Sequence, residues 1–71
     1  MSYAVAESIL EASVENLDEA IIPGVEDMLT DCRQHVGQAT LDNIKRALDL
    51  LEEIKQDIME QYQQVMWQEG S

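Results

Sequence analysis

Covalent and metal staples are scarce in this sequence. A single cysteine, Cys32, excludes an internal disulfide, and the one histidine, His35, leaves no His/Cys cluster for a structural metal. Basic residues are also few. Four Lys and Arg stand against fifteen Asp and Glu, for a net charge of −11. Such a chain repels nucleic acid and anionic membrane, both of which are gripped through Lys and Arg. No segment approaches the ~20 apolar residues of a membrane span. The opening Met1–Glu7 has neither the basic start nor the apolar run of a secretory signal, so a cytoplasmic protein is expected. Apolar and polar residues nowhere alternate as in a strand, which points away from sheet structure.

What remains is helical. An apolar fraction of 45% is enough to fold despite the charge. Seventy-one residues make one domain, 1–71, and a chain this short hides only about 60% of the surface its unfolded form exposes. With no disulfide or metal to add stability, self-association is the expected remedy.

Ile22-Pro23-Gly24 and Gly37-Gln38-Ala39-Thr40 punctuate the chain, giving three helices at about 3–22, 24–36 and 41–67. The first starts from Ser2 as N-cap and carries a stripe of Tyr3, Ala6, Leu10, Val14, Leu17 and Ile21. It ends at Pro23, which has no backbone donor and disfavours helical geometry at Ile22. The second carries Val25, Met28, Leu29, Cys32 and Val36, with Gly37 as a left-handed terminator. Thr40 is the expected N-cap of the third.

The third helix reads as heptads, with Leu41, Leu48, Lys55 and Tyr62 at a and Ile44, Leu51, Ile58 and Val65 at d. Ile54, Met59 and Met66 widen that seam, and Asp42–Arg46 and Lys45–Asp49 are expected i,i+4 pairs. The first two helices laid end to end about match the third in length. The expected fold is therefore all-α: a helical hairpin with its first arm kinked at Pro23, dimerising into a four-helix bundle. A three-helix bundle is the alternative.

No motif for chemistry emerges. There is no Glu-x-x-His for a di-iron site, no phosphate loop, no GxSxG and no CxxC. Cys32 and His35, three residues apart, supply too few ligands for zinc, and a nucleophile–base pair needs a groove and an oxyanion site that so small a bundle has little room to build. No catalytic residue, metal or cofactor is expected, and a metal-dependent or thiol enzyme is the disfavoured alternative.

Binding features are clearer. Glu7, Glu11, Glu15 and Glu19 recur every four residues, with Asp18 alongside, in a first helix that has no Lys or Arg. Like-charge neighbours cost a few tenths of a kcal/mol each, so the row is either a solvated face or a surface for a basic partner. Apolar candidates for a partner or a dimer are Leu48, Leu51, Ile58, Tyr62, Met66 and Trp67. The expected function is a small cytoplasmic interaction module that binds and holds or inhibits a protein partner. An acidic mimic of nucleic acid on a basic surface is the runner-up.

Overall fold

The computed structural model describes the backbone of residues 3–70 and the side chains of residues 4–68. Ser2, the expected N-cap, and the Tyr3 side chain lie outside the described residues. Helix α1 runs Tyr3–Asn16, a π-helical turn follows at Leu17–Ile21, α2 runs Ile22–Cys32, and α3 runs Gln38–Gly70. The chain folds back once, at residues 33–37. Both α1 and α2 pack on α3 and not on each other. This is the hairpin and not the three-helix bundle. It measures 52 × 16 × 15 Å, and 33 residues of α3 at 1.5 Å each give about 50 Å of that length.

Helix α3 presents the anticipated seam. Leu41 is buried and Ile44, Leu48, Leu51, Lys55, Ile58, Tyr62 and Val65 are half-buried against the first arm. The helix begins earlier than Thr40 implies, because the Gly37 carbonyl accepts from both the Thr40 and Leu41 amides at 3.2 Å. Thr40 thus lies inside the first turn, and Gly37 caps with its backbone. No described glycine has positive φ, so Gly37 is not a left-handed terminator. Instead α2 stops at Cys32, whose carbonyl takes the amides of His35 (2.9 Å) and Val36 (3.1 Å), leaving Val36 in the turn and exposed.

Pro23 does interrupt the first arm, but through the turn ahead of it. An α-helix would drive the proline ring into the carbonyl four residues back. Here the Ile22 amide bonds to the Leu17 carbonyl, an i→i−5 link that widens the turn. Ile21 (φ −71°, ψ −53°) and Ile22 (φ −63°, ψ −50°) stay right-handed helical, against the local preference of a residue before proline.

The wide turn also shifts the helical register by one residue. Continued from Leu17 in α-helical steps, the core face would pass through Ile21, Gly24, Met28 and Asp31. With the extra residue it passes through Ile22, Val25, Leu29 and Cys32, all buried or half-buried. This corrects the expected stripes at Ile21, which is 38% exposed while Ile22 is 6%, and at Met28, which is also exposed. Leu17 and Ile22 flank the turn and, with Leu41, are the buried apolar side chains among the described residues. Each contributes about 1.5–3 kcal/mol of burial.

Candidate functional site

Helical geometry sorts the surface into two flanks. One residue is 100° of rotation, so the residue preceding each core position faces one side of the hairpin and the residue following it faces the other. Because the arms are antiparallel, the preceding residues of both arms share one side. The open cleft between the arms confirms the match, since Ala6, Ile9 and Leu10 of α1 line it together with Gln61 of α3.

On the following flank stand Glu7, Glu11, Glu15, Asp18 and Glu26 of the first arm, and Asp42, Lys45, Asp49 and Glu52 of α3. On the preceding flank stand Val5, Ile9, Ile21 and Met28 with Leu50 and Ile54, all exposed. The hairpin is thus acidic on one side and apolar on the other.

The fold aligns three members of the anticipated acidic row. Glu7 is half-buried, while Glu11 and Glu15 are exposed. Glu19 falls within the π turn, so Asp18, following buried Leu17, continues the row in its place. Asp18 also gains a cationic partner. Lys55 Nζ lies 2.7 Å from Asp18 Oδ1, and this link joins the arms across 37 residues of sequence. Lys55 is the polar interruption of the seam, and the bond to Asp18 gives it an occupant. That bond raises the Lys55 pKa above its ordinary 10.5, partial desolvation opposes it, and the charges of Asp18 and Glu52 add to it.

Elsewhere the expected Asp42–Arg46 pair is replaced by bonds to neutral neighbours. Asp42 accepts from Gln38 Nε2 at 2.9 Å and Arg46 donates to Asn43 Oδ1 at 3.3 Å.

Of the anticipated apolar site residues, Leu48, Leu51, Ile58 and Tyr62 are half-buried against the first arm. Met66 and Trp67 are exposed, Trp67 at 76%. The antiparallel packing that sets Ala6 beside Gln61 also brings the last turns of α3 to the start of α1. Met66, which follows Val65, therefore ends the flank on which Glu7 and Glu11 stand.

Cys32 is a half-buried free thiol and His35 is exposed. Among the described residues no three His, Cys, Asp or Glu side chains converge as metal ligands. No helix of the described chain is long and apolar enough to cross a membrane. The preceding flank, with Val5, Ile9 and Leu50, went unnoticed in the sequence because its residues interleave with the core stripe. Pairing each core position with its predecessor would have exposed it.

No protein-family model, curated protein or solved structure matches this chain.

Proposed function

We propose that the chain is a small acidic helical protein–protein interaction module, a homodimer that binds a protein partner and holds or inhibits it. One observation carries the reading: nine large apolar side chains stand exposed among the described residues, against three buried. Exposed apolar patches of this kind mark surfaces that meet other proteins. The partner surface lies at the open end of the hairpin, where the acidic flank of Glu7, Glu11 and Glu15 runs into Met66 and where Trp67 stands exposed on the outward face of the same last turns of α3. Carboxylates that end at an exposed methionine, with an exposed tryptophan one residue further on, suit a partner segment that offers Lys or Arg next to apolar side chains. In this reading the chain is not an enzyme and requires no cofactor.

Trp67 is the single tryptophan, so its fluorescence reports on that end alone. Partner captured from the native host and titrated against the protein should shift the Trp67 emission to the blue. Met66→Gln with Trp67→Gln should abolish capture at low and high salt. Glu11→Lys with Glu15→Lys should slow association at low salt only, because exposed charges chiefly steer encounter and salt screens them. If the charge reversal alone abolishes capture and the apolar pair does nothing, the acidic nucleic-acid mimic is the correct reading. Capture that survives both variants would place the partner surface elsewhere.

A further inference from the structure

We infer that a second copy of this chain docks on the apolar flank of the hairpin, across Val5, Ile9, Ile21, Met28, Leu50 and Ile54, and that the two hairpins close a four-helix bundle. This rests on the reading of the chain as an interaction module and names the surface on which it meets itself.

The first support is distribution. Six of the nine exposed large apolar residues are the ones just named, and all six precede a core position. Scattered surface apolar residues need no explanation, but six of nine on one side of a 16 Å wide rod are not scattered.

The second is area. The chain exposes 5234 Å², whereas a compact monomer of 8.1 kDa is expected to expose about 4,500 Å². The excess of roughly 700 Å² is close to the ~800 Å² that each partner hides in a standard-sized interface. The radius of gyration says the same, at 15.9 Å against about 11 Å for a globule of this length. A second hairpin laid alongside thickens the rod without lengthening it.

The third is charge. Two copies bring −11 each, so they can meet closely only where carboxylates are few. The following flank is lined with them. The preceding flank holds Asp31 and Asp57 as its carboxylates between Val5 and Gln61. The seam residues Leu48, Leu51 and Ile58 are already occupied by the chain's own first arm, which leaves the flank as the face open to a second copy.

Shape completes the case. The apolar cleft of about 240 Å³ at Ala6, Ile9, Leu10 and Gln61 lies two helical turns along α3 from Ile54, on the same flank. The cleft is a recess on the same flank as the exposed Leu50 and Ile54 side chains.

Sedimentation equilibrium tests this, with circular dichroism as the check on folding. The wild type should be a dimer at micromolar concentration. Leu50→Gln with Ile54→Gln should raise the dimer dissociation constant about 100-fold or more and keep full helicity at concentrations where the hairpin is folded. If that pair unfolds with dissociation, Ile9→Ser serves as the milder variant and should weaken the dimer with helicity retained. Met66→Gln, on the other flank, should leave the dimer intact. A wild type that is monomeric at high micromolar concentration overturns the inference, and the homodimer with it, while leaving partner capture at the Trp67 end untouched. A dimer that withstands the Leu50 and Ile54 changes, or that Met66→Gln disrupts, overturns the choice of flank.

Discussion

The two arms of the hairpin meet the same requirement, an apolar stripe against the other arm, by different means. In α3 the heptad spacing from Leu41 to Val65 holds one face toward the first arm through an unbroken helix. In the first arm the spacing slips, from Leu17 to Ile22 in a step of five, and an α-helix cannot carry that step. The π turn carries it, and the proline that forbids one ordinary hydrogen bond sits where the bond is already given up. A proline and an irregular turn are therefore a single device here. It trades backbone regularity for a matched core face, and the exchange is favourable because four side chains downstream depend on it.

The sharpest break in this comparison is a pair of adjacent substitutions. In the monomeric hairpin, held apart by the Leu50→Gln and Ile54→Gln changes, Ile22→Ala should destabilise the fold by about 2–4 kcal/mol, as expected for a buried isoleucine, and Ile21→Ala by no more than about 0.5 kcal/mol. Urea denaturation of both variants measures the contrast, and equal losses would mean that the register does not shift. The contrast should persist in a Pro23→Ala background. Reverting to an α-helix there would present Gly24 and Asp31 to α3 in place of Val25 and Cys32.

A smaller effect is expected at Gly24, which lies in α2 without positive φ and with nothing within 4 Å of an added Cβ. Gly24→Ala should stabilise by about 0.5–1 kcal/mol through the unfolded chain's lost freedom. A thermal midpoint unchanged or lowered would show that the first arm needs glycine there.

The smallest effect concerns the link between the arms. Lys55 titrates higher folded than unfolded, so its pairing with Asp18 stabilises fully below the ordinary 10.5 and is lost as pH rises through the raised folded value. The difference in stability between wild type and Lys55→Gln should therefore be constant from neutral pH upward and close above 10.5. Added salt should shrink it at neutral pH. A difference that persists in strong alkali would assign Lys55 a packing role and not an electrostatic one.

Much of the fold was legible in the residues. The seam of α3, the single reversal and the all-helical class follow from apolar periodicity, which depends on near neighbours alone. The first arm was read less well because Pro23 looks locally like a stop, and Ile21, Gly24 and Met28 fit a helical wheel as plausibly as Ile22, Val25 and Leu29. At the site, the acidic residues and the exposed end of α3 were visible as composition. The continuation of the row by Asp18, its bond to Lys55, and the apolar flank were not, because each depends on rotation about a helix axis or on a contact 37 residues distant.

By itself, then, the sequence determined that the chain is helical, that it folds back once near Gly37, and that it is acidic and short of internal staples. These are properties of composition and of spacing within a turn or two. Only the tertiary structure decided which isoleucine enters the core, what lies against Lys55, and how the surface divides into an acidic and an apolar side. The reason is that helical rotation is cumulative: one extra residue at Leu17–Ile21 turns everything after it, and the packing of the first arm on α3 selects the rotation that buries the larger apolar set.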